Sequence, residues 1–94
     1  MPEVLDPDAV DAALADRALG WHREGTELVK EVRRGGFAGA LAFVNQVGAL
    51  AEAADHHPDV DIRWDTVTLR LSTHSAGGLT EKDLSLAAQV DALG

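Results

Sequence analysis

A chain of 94 residues allows one domain, spanning 1–94, and its net charge of −8 with only eight scattered Lys and Arg sets it against phosphate backbones, so no direct nucleic-acid binding is expected. The absence of cysteine excludes disulfides and thiolate metal sites. The apolar fraction of 46% is ordinary, yet 16 of those residues are alanine, so the core of large side chains is thin and an oligomer would help by burying more surface.

The first nine residues carry Glu3, Asp6 and Asp8 and no base, unlike a signal peptide. No run of about 18 apolar residues stands out, so no membrane span is expected and a cytoplasmic location follows by default. The first helix signal is Leu5-Asp6-Pro7-Asp8. Asp6 is the expected N-cap, Pro7 fits the first helical position, and Leu5 with Val10 can form a hydrophobic staple. The helix should run to about Leu19, with Gly20 as its stop. Trp21 to Val32 then reads as a β-hairpin around Gly25, closed by Arg33-Arg34-Gly35-Gly36.

Phe37 to about Ala54 is the second helix. Phe37, Leu41, Val44, Val47 and Ala51 recur at three- and four-residue spacing, which predicts the buried face. Gly39 and Gly48 each lower helix propensity by about 1 kcal/mol relative to Ala. Either another backbone comes close to them or they are simply tolerated. His57-Pro58 blocks further helix. Val60, Ile62 and Trp64 alternate with Asp61 and Arg63, and after Asp65-Thr66 the alternation resumes with Val67, Leu69 and Leu71, giving a second hairpin with one buried face. After Gly77-Gly78, Thr80 is the N-cap of a third helix, Asp83 stands at the capping-box position and Leu79 with Leu84 forms the staple. Leu86, Val90 and Leu93 carry this helix to the end. The order α-β-β-α-β-β-α with antiparallel hairpins predicts an α+β domain.

Chemistry concentrates in Glu52-Ala53-Ala54-Asp55-His56-His57-Pro58 and Ser72-Thr73-His74. Three of the four histidines lie within 19 residues, and two carboxylates precede the pair. Such a group could bind a divalent metal, or it could serve as general acids and bases, because imidazole titrates near neutral pH. Adjacent His56 and His57 point in different directions, and the helical i, i+4 histidine spacing of metal sites is absent. Residue types and spacing alone stop at a possible acid–base site.

Glu52-x-x-Asp55-His56-His57-Pro58, the aromatic Trp64, Leu71-Ser72-Thr73-His74 and Gly78-Leu79-Thr80 with Asp83 resemble, in order and spacing, the signature of the pterin-4a-carbinolamine dehydratases. Gly20-Trp21 and the helix of Phe37 and Phe43 fit as well, so the resemblance covers nearly the whole chain. Two positions depart from the animal enzymes: Val60 stands where an aromatic is frequent, and Gln46 where an arginine is. Both bear on pterin packing and substrate preference.

The resemblance implies a four-stranded antiparallel sheet with three helices on one face, and pairing of edge strands or helices into a homodimer or homotetramer. It implies a lyase that dehydrates 4a-hydroxytetrahydropterin to quinonoid dihydropterin and so recycles the pterin cofactor of hydroxylases. No cofactor or metal is needed for two proton transfers. His56, His57 and His74 would line the pterin site, with His57 and His74 transferring protons and His56 positioning the ring. Glu52 and Asp55 would orient the imidazoles, and Thr73 and Trp64 would contact substrate. Each also has a plainer structural role: Glu52 as a solvated helix position, Asp55 as a helix end, Asp83 as a cap, Trp64 as core or hairpin packing. His22 is expected on the surface without partners. Two alternatives stay open: a non-catalytic dimerisation or binding module, as animal relatives serve a transcription factor, and a metal-dependent hydrolase using the same histidines.

Overall fold

A computed structural model describes residues 3–93; Met1, Pro2 and Gly94 of the expected domain lie outside the described residues. The elements are α1 (Pro7–Asp16), β1 (His22–Glu24), β2 (Glu27–Arg33), α2 (Phe37–Ala54), β3 (Asp59–Arg63), β4 (Thr66–Leu71), a 3-10 turn (His74–Ala76) and α3 (Glu81–Asp91). The strands form one antiparallel sheet in the order β1-β2-β4-β3.

Register explains the two faces. Leu28 lies opposite Leu71, Lys30 opposite Leu69 and Val32 opposite Val67, while Val60 and Ile62 pair with Leu69 and Val67 from the other side. Because side chains alternate along a strand, these residues share one face. All three helices cover it: Val10 and Leu14 of α1, Phe43 and Val47 of α2, and Leu84, Leu86 and Val90 of α3 join Leu28, Val67, Leu69 and Leu71 in one core. The opposite face carries Glu31, Asp61, Arg63, Thr66, Thr68 and Arg70.

The expected helix starts hold. Asp6 caps α1 by accepting from the Asp8 amide at 2.8 Å, and Thr80 with Asp83 forms a complete capping box on α3. Several expectations need correction. Helix α1 ends at Asp16, not near Leu19, because Ala18 takes the left-handed conformation (φ 52°) expected of Gly20. At Gly20 a Cβ would lie 2.9 Å from Lys30 Nζ, the mobile end of a long side chain that can move aside. The second hairpin turns at Trp64-Asp65, one residue earlier than the alternation suggested, with Trp64 at φ 53° and Thr66 already in β4. Trp64 is therefore no core residue; it is 67% exposed at the hairpin tip.

Helix α2 is rotated from its expected setting. Ala40, Phe43, Val47 and Ala51 are buried, whereas Phe37 and Leu41 are 52% and 42% exposed. The helix is so rich in Ala, Gly, Leu and Val that two overlapping stripes have helical spacing, and periodicity cannot choose between them. By length and composition alone α2, with 18 residues and mean hydropathy 1.3, is long and apolar enough to cross a membrane, although Asn45, Gln46 and Glu52 interrupt its apolar run. Only Ala40, Phe43, Val47 and Ala51 of this helix are buried, so most of its apolar character is not explained by the core. Of its two glycines, Gly39 does meet another backbone, since a Cβ would come within 2.7 Å of the Arg34 carbonyl oxygen, while Gly48 faces open space.

Candidate active site

The last turn of α2 sets the site. Asp55 adopts the left-handed conformation at φ 49°, which aspartate tolerates better than most side chains, and its amide closes on the Ala51 and Glu52 carbonyls. The His56 amide also returns to the Ala51 carbonyl, at 3.1 Å. This reversal sends adjacent imidazoles to different elements. His56 Nε2 donates to Asp83 Oδ1 on α3 at 2.5 Å; His57 Nε2 meets Glu52 Oε2 on α2 at 2.5 Å. The His56 side chain is only 10% exposed and that of His57 is 55% exposed.

Asp83 is fully buried and its contacts are saturated. Besides His56, it accepts from the Thr73 hydroxyl at 2.7 Å and from the Thr80 amide at 2.9 Å. The Thr73 and Thr80 hydroxyls are 2.9 Å apart. A buried carboxylate is costly unless hydrogen-bonded, and here each oxygen has a donor. The loop beyond β4 is pinned by the Thr73–Gly78 bridge and turned at Gly77 (φ 80°), which holds His74 at the surface in the 3-10 turn. His74 has no side-chain hydrogen bond among the described residues.

These parts enclose an open concavity of about 400 Å3. His56, His57 and His74 line it together with Asp55, Thr73, Ser72, Ser75 and Lys82. Glu52 and Asp83 stand behind His57 and His56. The capping role of Asp83 and its contact with a site imidazole are thus both present. Thr73 lines the concavity, though its hydroxyl is engaged with Asp83 and Thr80. Trp64 lies beyond the far end of β3 from His57 and is not among the lining residues. Val60 and Gln46 are also outside it. Sequence reasoning missed Ser75 and Lys82, and gave Ser72, though within the stretch singled out, no role. Ser72 and Ser75 flank the recognised Thr73-His74 pair, and Lys82 directly precedes Asp83, so proximity to the signature was the available signal. His22 is remote from the site but not partnerless, since it meets Glu24 at 2.6 Å. Among the described residues no three His, Cys, Asp or Glu side chains are grouped to hold a metal ion.

Three imidazoles around one concavity, two of them backed by carboxylates, on a helix-covered antiparallel sheet, define the class of this α+β protein. The family model described as pterin 4 alpha carbinolamine dehydratase matches residues 3–93. A relative from Roseiflexus castenholzii, assigned as a pterin-4-alpha-carbinolamine dehydratase, is 53% identical over 91 residues, 97% of each chain. One of the same assignment from Nocardia farcinica is 50% identical over 91 residues, 97% of this chain and 95% of its own. A crystal structure of a transcriptional coactivator/pterin dehydratase from Brucella melitensis superimposes with a TM-score of 0.88 at 31% identity, covering 97% and 98% of the two chains. A pterin dehydratase-like protein identified as a RuBisCO assembly factor in the alpha-carboxysome aligns with a TM-score of 0.63 at 28% identity, over 80% and 87%. The chain belongs to the pterin-4a-carbinolamine dehydratase family.

Proposed function

We infer that this chain works as a hydro-lyase of its family, removing water from 4a-hydroxytetrahydropterin to give quinonoid dihydropterin and so recycling the pterin cofactor. The observation that carries the reading is the convergence of His56, His57 and His74 on one concavity. The reaction breaks the C4a–O bond, with a proton added to the departing hydroxyl, and removes the proton from N5 as the C4a=N5 bond forms. Both steps are proton transfers that neutral-range groups can perform without a metal or cofactor.

His57 and His74 are the proton-transfer pair in this reading. Both imidazoles are exposed to the concavity, where a substrate can reach them. His56 is nearly buried on Asp83, which suits a residue that positions the ring. Glu52 orients His57, Asp83 orients His56, and Asp55 supplies the backbone reversal. Thr73 contacts substrate only through whatever its engaged hydroxyl leaves free, and a contact from Trp64 would require a second copy of the chain. Residues 1–94 act as one domain in the cytoplasm.

Stopped-flow dehydration of 4a-hydroxytetrahydropterin by chelator-treated protein tests the reading. A rate above the spontaneous one is expected; none would overturn it, and dehydration that returns only with added metal would overturn the metal-free acid–base reading.

The exposed Phe37 and Leu41 on α2 support assembly into a homodimer or homotetramer. Large exposed apolar groups grouped on one helix are a common mark of protein contact. A monomeric mass by light scattering at micromolar concentration would refute this. The carboxysome relative favours a second reading, in which the fold serves as a binding module; inert protein that still assembles tightly would support it.

A further inference from the structure

A second concavity of about 310 Å3 lies between the end of α2 and the outer side of α3. His56 and Lys82 line both it and the histidine site, so the two adjoin across these side chains. One wall is a stripe of α3. Lys82, Ser85 and Gln89 stand three and four residues apart, which aligns them over two helical turns, about 10 Å. Leu86, 1% exposed, and Ala54 give the groove an apolar lining.

Its electrostatics are one-sided. Glu81 also borders the groove, but both its oxygens are held by Arg17, at 2.6 and 2.8 Å. Lys82 has no ion pair among the described residues. The groove therefore offers a short apolar stem region, two hydrogen-bonding side chains and a lysine outside any ion pair among the described residues, beside the place where a pterin ring would sit.

We propose that this groove is a subsite for the C6 substituent of the pterin, and that it selects substrates whose C6 tail is long and ends in a carboxylate. The inference rests on the dehydratase reading of the histidine site. With the ring among the histidines, the tail lies along α3, its stem against Ala54 and Leu86 and its acidic end toward Lys82 and Gln89. A six-methyl pterin leaves the groove empty.

The test compares kcat/KM for two 4a-hydroxytetrahydropterins, one bearing a 6-methyl group and one a long carboxylate-ended C6 chain. The preference expected for the acidic tail is about two- to fivefold, the range an exposed charge contact provides. Gln89→Glu places a negative charge in the groove and should bring the ratio to one or below. In the unaltered protein, raising salt should shrink the preference, because exposed charge contacts are screened. A ratio near one in the unaltered protein, or a preference that neither salt nor Gln89→Glu changes, overturns the subsite while the dehydratase reading stands. Turnover of neither substrate overturns both.

Discussion

Helix α3 carries an aspartate hub at each end. Near its start, Asp83 gathers the His56 imidazole, the Thr73 hydroxyl and the Thr80 amide. At its last residue, Asp91 gathers the Gly20 amide at 2.8 Å, the Trp21 indole at 2.9 Å and the Lys30 ammonium at 2.7 Å. Each carboxylate ties α3 to two other parts of the chain. The difference lies in what is held. The donors at Asp91 are permanent and its site is structural, stitching the α1–β1 link and β2 to the helix end. One donor at Asp83 is an imidazole that also lines a concavity. A buried or half-buried carboxylate with three donors is thus a fastening in both cases, and only the chemistry of the fastened group makes one of them part of a site.

The strongest way to break this contrast is to remove the imidazoles. His57→Ala and His74→Ala should each lower turnover by about 10²–10⁴-fold, with the double variant losing less than the product of the two, while His22→Ala keeps normal turnover. Full turnover in folded His57→Ala and His74→Ala, checked by circular dichroism, would remove them from the mechanism. Next come the hubs. Asp83→Asn should raise KM by about tenfold with a smaller change in kcat, since the imidazole that positions the ring loses the carboxylate that orients it. Asp91→Asn should leave turnover intact and cost about 1–3 kcal/mol in urea unfolding, because its donors lose a charged acceptor. Equal kinetic damage from both would erase the distinction.

The smallest effect concerns the other tie between α1 and α3. The Arg17 hydrogen bond, reinforced by its charge, holds the Glu81 carboxyl below its ordinary value. A lowered carboxylate contributes stability above the ordinary range of about 4.3 and loses it as pH falls through the lowered value. The stability gap between the unaltered protein and Glu81→Gln should be full at neutral pH and close below about pH 4. A gap that persists in acid would show that the pair is not its source.

Local signals were legible wherever a short stretch dictates its own conformation. Asp6 and Thr80 as N-caps, Gly25 in the first turn and the polar break at Pro58 depend on neighbours within a few residues. The histidine group was legible because its members lie close in sequence. What was hidden depends on tertiary packing. Ala18 takes the left-handed turn after α1 that the sequence led one to expect of a glycine, while the Gly20 amide is held by Asp91. The setting of α2 could not be chosen from a helix apolar on nearly every side. Lys82 and Asp91 became visible only when α3 was placed against the ends of α2 and β2.

The double engagement of Asp83 has a consequence for how sequences of this family diverge. The residue that orients His56 also completes the cap that starts α3. Selection for folding alone is then enough to retain it. A descendant that drops the reaction and keeps only a binding role would still hold Asp83 and Thr80, while His57 and His74, which close no structural circuit beyond the Glu52 contact, would be free to drift. Presence of the aspartate reports a folded α3; in the dehydratase reading it is the two exposed imidazoles that would report the chemistry.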